Sequence, residues 1–507
     1  QAGQLCDPNS CPFARSYYDR YRPAMQAVLA QETITRPALE AVSRTHEVCP
    51  FELSLDLSLW VDAVVCDYNY VFDPKVYLRR HFDNAPGAYG FLIDEAHNLV
   101  DRGRDMFSAE LHSGDLREVR RAIKDPLPRC AKALNRLNLA LRKLCHADTL
   151  PAEPPDATDP AHAPDLFATQ TAAPSAAAET APPGGPQVPS RNQGLLTLRE
   201  LPESLPPLID EALKEAETWL ARNQPAEFRP ALLDLYFQLY SFRRTAELYD
   251  ERYVTLIEPG ASVRARLFCL DPSFLLRRAL ERGHAAVFFS ATLTPIEYYH
   301  ALLGGTEEDQ RLRLSSPFAP EHLAVLVQDR IRTRFKDRAG TLGTVVETID
   351  ALVRGRRGNY LVYLPSYQYL TAVREQFIAR HPGVATLTQR PGMTETEREA
   401  FLEAFAADHA ETLVGFAVLG GIFGEGIDLV GERLIGAVIV GVGLPQLCGE
   451  RDLIRDYFQE KTGAGFDFAY TFPGMNRVLQ ATGRVIRTET DRGVVLLIDT
   501  RFSESRY

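Results

Sequence analysis

Tyr89-Gly90-Phe91-Leu92-Ile93-Asp94-Glu95-Ala96-His97 is the stretch on which the reading of this sequence turns. An apolar run of strand character ends on two carboxylates, and doubly wound sheets hold their ligands beyond the carboxyl ends of their strands. Asp94 suits the orientation of a hydrated Mg²⁺, and Glu95 suits the polarisation of a water attacking a γ-phosphate. His97 completes the string as a further catalytic candidate. Taken alone, the same residues also describe an ordinary helix cap after a strand.

Three more strings carry chemistry, two of them directly after an apolar strand. Ala285-Ala286-Val287-Phe288-Phe289 leads into Ser290-Ala291-Thr292-Leu293, which puts the Ser290 and Thr292 hydroxyls in a turn beside a nucleotide or at a helix cap. Gly420 to Leu429 is glycine-rich and carries Gly424, Glu425, Gly426 and Asp428. Its two acids could contact a ribose, an arginine of a neighbouring motif or a DNA-coupled loop, with plain turn chemistry as the alternative. In Gln480-Ala481-Thr482-Gly483-Arg484-Val485-Ile486-Arg487, spacing of three and four predicts Gln480, Gly483, Arg484 and Arg487 on one helical face. Two guanidinium forks there suit charge developing on a γ-phosphate, and Gly483 permits close backbone approach. An exposed arginine pair is otherwise usually just solvated.

A chain of 507 residues is too long for one core, so two to four domains are expected. With 45% hydrophobic and 24% charged residues it reads as globular, and no apolar run approaches the roughly 20 residues of a bilayer span. The net charge of −11 argues against a generally basic nucleic-acid surface. Residues 151–190 contribute five acids and no Lys or Arg, leaving about −6 for the rest, so a locally basic channel is compatible with it. The ten prolines and eleven alanines between Pro151 and Pro189 supply too little large apolar surface to order that segment, and it is expected to be a disordered insertion.

Around these landmarks, residues 1–60 read as a small helical module and Val61 to Cys66 as a buried parallel strand. Residues 111–150 and 195–255 read as helices. A second α/β unit follows, with strands at 359–363, 413–418, 434–440 and 494–498 and helices at 368–380 and 394–407. Eight cysteines are no disulfide framework, and Cys6, Cys11 and Cys49 crowd the start, which favours a metal site in a reducing compartment. In the first module Arg15, Tyr17, Tyr18, Arg20 and Tyr21 are candidates for stacking on bases and following phosphates, although tyrosines at helical spacing more often fill a core.

The ordered set resembles the iron–sulfur helicases of superfamily 2, the XPD and DinG-like proteins of eukaryotes and bacteria. Cys49-Pro50-Phe51-Glu52, Asp67-Tyr68-Asn69-Tyr70-Val71-Phe72-Asp73-Pro74, Ser316-Pro317-Phe318 and Met475-Asn476-Arg477 support the resemblance along nearly the whole chain. It implies an α/β protein of two RecA-like parallel-sheet motor domains (61–110 with 269–305, and 306–507). A cluster module (1–60) and a helical arch (111–268) would be inserted into the first. It implies ATP and Mg²⁺ between the motor domains, single-stranded and forked duplex DNA as partners, 5′-to-3′ movement, and a cytoplasmic, nucleoid-associated monomer. It also implies a [4Fe-4S] cluster on Cys6, Cys11 and Cys49, with a fourth thiolate upstream or at Cys66; zinc is the alternative metal on the cysteines alone. No G-x-x-x-x-G-K-[ST] string occurs, so the resemblance implies a chain cut downstream of its phosphate loop that does not hydrolyse ATP by itself. A helicase-shaped scaffold without catalysis, and an RNA helicase of the DEAH class, stand as the other readings.

Overall fold

The computed structural model describes residues 11–82, 88–145, 191–192, 194–407, 411–424 and 426–506. Cys6, Glu425 and the segment 151–190 lie outside the described residues. The chain forms two compact units, one of Ser108–Cys269 and one that joins Gln4–Phe107 to Leu270–Tyr507.

The larger unit is built on parallel sheets. Six strands run in the order Ala385–Thr388, Leu413–Val418, Asn359–Leu364, Gly436–Val440, Gly493–Ile498 and Leu323–Gln328, every neighbouring pair parallel. The central strands are apolar on both faces because helices cover both sides, the usual condition of a parallel sheet. On one face Val346, Ile349, Leu370 and Phe377, from the helices Arg338–Gly355 and Tyr367–Arg380, pack on Tyr360, Val362 and Phe416. On the other, Phe401, Phe405, Val478 and Ala481 pack on Leu361, Tyr363 and Ile439. The helix Glu395–Glu403 opens on a capping box in which Thr394 and Glu397 satisfy each other's backbone N–H. A second sheet pairs Gly90–Ile93 in parallel with Ala285–Phe288, joining residues almost two hundred positions apart.

Two expectations fail in this unit. Val61 to Cys66 forms no strand: Val65 is fully exposed, and Cys66 is exposed too. Its β-branched residues favour extended φ/ψ, but no described strand offers a ladder to pair with it, and pairing rather than propensity makes a strand. The helix that begins at Phe472 ends at Thr482, so Gly483, Arg484 and Arg487 lie beyond it instead of continuing one helical face. At the front of the chain three helices, Tyr17–Leu29, Arg36–His46 and Pro50–Leu57, enclose a small core of Met25, Val28, Leu39, Val42 and Leu53.

The smaller unit holds the helices Ser113–Ile123, Pro128–Leu144, Leu205–Leu220 and Arg229–Ala246, which share a core of Leu134, Leu137, Leu141, Ile209, Leu235 and Phe242. Helices do not fill residues 195–255 as expected. Leu195–Leu198 and Tyr253–Glu258 are strands of an antiparallel sheet that also contains Arg264–Cys269 and Ala109–His112. Tyr253-Val254-Thr255-Leu256-Ile257 is buried on both faces, so its apolar run lacks the alternation that marks a half-buried strand. Among the described residues no helix is long and apolar enough to cross a membrane.

Phe377 is fully buried and meets Phe416 edge-on at 5.7 Å between ring centroids. Phe377→Ala is expected to destabilise the larger unit by about 3–5 kcal/mol, read from the denaturant midpoint at unchanged slope.

Candidate active site

The parallel pair Gly90–Ile93 and Ala285–Phe288 delivers two motifs to the same end of one sheet. The ladder continues past the strands: Phe289 N donates to Ile93 O at 3.0 Å and Ala96 N to Phe289 O at 3.2 Å. Asp94 and Glu95 stand exposed at that carboxyl end, and Asp94 Oδ1 accepts from Glu95 N at 2.7 Å. Glu95 is held in the left-handed region, φ 45° and ψ 42°, which costs an L-residue about 1–2 kcal/mol and marks a constrained turn.

His97 is buried behind this turn and bonds on both sides. Its Nδ1 lies 2.9 Å from Ser290 Oγ and 3.3 Å from Thr292 Oγ1, and Ser290 Oγ donates to Glu95 Oε2 at 3.0 Å. Its Nε2 lies 2.6 Å from Nε2 of Gln480, on the helix Phe472–Thr482 that packs on the six-stranded sheet. One tautomer satisfies the series: Gln480 donates to the Nε2 lone pair, Nδ1–H donates to Ser290, and Ser290 O–H donates to Glu95. Asp94, Glu95, His97, Ser290, Thr292 and Gln480 are thereby brought together.

The remaining candidates lie on the loop that follows Leu413–Val418 and just past the helix Phe472–Thr482. The loop after Leu413–Val418 turns through Gly420 at φ +74°, where a Cβ would stand 2.9 Å from Arg477 Cδ, and through Gly426 at φ +66°, with Gly424 buried between them. Asp428 accepts from Arg487 Nε at 2.8 Å, and Arg484 donates to Ile427 O at 3.1 Å and to Gln480 O at 3.2 Å. Of the partners open to the loop acids, the arginine is the one Asp428 meets. Gly483 is the residue on which the helix ends.

Two ion pairs that sequence spacing gave no sign of tie the helix Gly449–Thr462 to residues beside the first sheet. Arg451 donates to Asp101 at 3.0 Å, where Arg104 also donates at 2.7 Å, and Lys461 donates to the buried Asp271 at 2.6 Å. Desolvation opposes ionisation of Asp101, but the two guanidinium groups prevail and bring its carboxyl to about 2. Asp271 is likewise held below the carboxylate range by Lys461 and Ser273 against the penalty of burial. Next to His97 and Gln480 lies a polar cavity of about 170 Å³, lined also by Asp101, Asn476 and Arg477. It is below the roughly 300–1,000 Å³ of small-molecule pockets and suits water better than a nucleotide.

In the front module Tyr17 is buried and its hydroxyl donates to Asp56 at 2.8 Å, so it fills the core. Tyr21 is half-buried against the same core, Arg20 pairs with Glu47, and Tyr18 and Arg15 are exposed. Cys11 and Cys49 are both half-buried, Cys49 at the start of the helix Pro50–Leu57.

Residues 2–116 match the DEAD_2 family model, and residues 349–507 match that of a helicase C-terminal domain. Over 90% of its length the chain is 21% identical to the general transcription and DNA repair factor IIH helicase subunit XPD/RAD3 of Saccharomyces cerevisiae. The chain belongs to the XPD/Rad3 family of superfamily 2 helicases. It spans 64% of the length of that yeast relative. The XPD subunit of Arabidopsis thaliana is 22% identical over 99% of this chain and 70% of its own length. A solved XPD helicase structure superposes with a TM-score of 0.56 at 15% identity, covering 99% of this chain and 82% of that one. For this XPD/Rad3-family chain that likeness establishes the fold, RecA-like α/β domains carrying inserted modules.

Two measurements test this geometry. In a double-mutant cycle of His97→Ala and Gln480→Ala, the coupling in unfolding free energy is expected at about 0.5–3 kcal/mol, because the bond is buried and direct. A depressed carboxyl stabilises the fold above its ordinary pKa and loses that contribution as pH falls through the folded value. Arg451→Met should therefore lower the melting temperature most at neutral pH, with the difference from wild type shrinking between about pH 4 and pH 2.

Proposed function

We propose that this chain is the greater part of the motor of an ATP-dependent DNA helicase that moves 5′-to-3′ along single-stranded DNA, opens forked duplexes and serves DNA repair. The observation that carries the proposal is the hydrogen-bond series Glu95–Ser290–His97–Gln480, which joins the acidic turn of one sheet to a helix of the other. A motor needs such a link, since hydrolysis beside one sheet must be felt at the other. The XPD/Rad3 kinship and the helicase names of the relatives support the same reading.

In this mechanism Asp94 would hold Mg²⁺, for which an exposed carboxylate oxygen at a strand end is a fitting donor. Glu95 accepts a proton from the attacking water, and Ser290 and His97 keep its carboxylate oriented from behind. Arg484 and Arg487 face charge growing on the γ-phosphate, with Asp428 holding Arg487 in place meanwhile. Gly424, Gly426, Thr292 and Gly483 frame the nucleotide, and Glu425 is a further candidate contact with it. Cys6, Cys11 and Cys49 would hold a [4Fe-4S] cluster, a thiolate-bound group that braces the front module. Arg15 and Tyr18 are its best-exposed contacts for the strand, by phosphate pairing and base stacking.

In the full-length protein, Glu95→Gln is expected to lower single-strand-stimulated ATP hydrolysis by about 10²–10⁴-fold with little change in KM for ATP, measured as phosphate release with DNA and with RNA. A wild-type protein that binds DNA without hydrolysing ATP would point to a scaffold, and stimulation by RNA alone would point to an RNA helicase.

A further inference from the structure

Asp67-Tyr68-Asn69 takes no part in the mechanism above, yet it lies against the acidic turn. The Tyr68 hydroxyl sits 2.5 Å from Asp94 O and 3.0 Å from Glu95 O. Those carbonyls belong to the two peptide planes on either side of the Glu95 Cα. A donor shared between them fixes both planes together, and with them the left-handed φ of 45° and ψ of 42° at Glu95. Backbone direction at Cα sets where a side chain leaves. The hydroxyl thus governs where the Glu95 carboxylate points, and Ser290 meets that carboxylate from its far side at 3.0 Å.

The segment that carries Tyr68 is itself anchored. Asn69 N donates to Asp67 Oδ1 at 3.0 Å, and Arg102, from the helix Leu99–Met106 that follows the turn, reaches Asn69 Oδ1 at 3.2 Å and Asp67 Oδ1 at 3.5 Å.

We propose that Tyr68 is a positioning residue for ATP hydrolysis, acting through the backbone of the acidic turn to aim Glu95 at the attacking water. This rests on the reading of Glu95 given under Proposed function. Tyr68→Phe keeps the ring and its packing and removes only the hydroxyl.

The test uses the full-length protein in four forms, wild type, Tyr68→Phe, Glu95→Gln and the double variant, with Tyr70→Phe on the short helix Asn69–Phe72 that follows as a control. Single-strand-stimulated hydrolysis is followed over a range of ATP concentrations, by single turnover for the slow variants. Single-stranded DNA affinity and melting temperature are measured alongside. The expected result is a fall in kcat of about tenfold for Tyr68→Phe, one decade per 1.4 kcal/mol. KM for ATP, DNA affinity and melting temperature should stay near wild type, and Tyr68→Phe should cause no further loss in the Glu95→Gln background. A wild-type kcat in Tyr68→Phe would overturn the proposal. So would a loss confined to KM, or an equal tenfold loss when Glu95 is already Gln, because each means that the hydroxyl does not act through Glu95. Absence of DNA-dependent hydrolysis in the wild type would instead sink the helicase reading on which the proposal stands.

Discussion

The larger unit depends on one buried imidazole with different demands on its two sides. His97 closes the acidic turn from behind through Ser290 and reaches Gln480 on the helix of the other sheet. A buried ring nitrogen without a partner is costly, so neither side can let go without leaving a polar atom unsatisfied. The site is therefore more than the sum of its exposed carboxylates. Asp94 and Glu95 are reachable from solvent, whereas the His97 ring behind them is buried in the protein.

Much of this could be seen in the residues themselves. Strand ends that release acids, hydroxyls and glycines in that order are readable because each motif is local and each apolar run is long enough to be a buried strand. The strands Asn359–Leu364 and Leu413–Val418 stand within a residue of where their sequences put them, since both are buried on both faces by helices. Asp428 was legible as a loop acid with an arginine among its possible partners, and Arg487 is the partner it takes.

What escaped has a common physical origin. Val61 to Cys66 has the composition of a strand, but composition cannot say whether a neighbour is there to pair with. Tyr253–Glu258 is a strand whose continuous apolar run has the same appearance as part of a buried helix. The Gln480-to-Arg487 spacing fits a helix, yet periodicity carries no stop signal at Thr482, and the arginines are held by Ile427 O and Asp428 instead of by helical succession. Asp101, Asp271, Arg451 and Lys461 are ordinary charged residues in sequence, and only the fold brings the acids to the bases.

The helix Gly449–Thr462 reaches Asp101 and Asp271 through side chains ten positions apart, about 15 Å along its axis. Asp101 lies shortly before the chain leaves for the residues of the smaller unit, and Asp271 directly after it returns. Both roots of that long excursion are therefore stapled from within the unit they leave. Closing a loop costs entropy that grows only slowly with its length, and stapled roots fix the span to be closed whatever lies between them. The inserted segment is in this sense a replaceable cassette, free to gain, lose or exchange elements over evolutionary time while the larger unit keeps its shape.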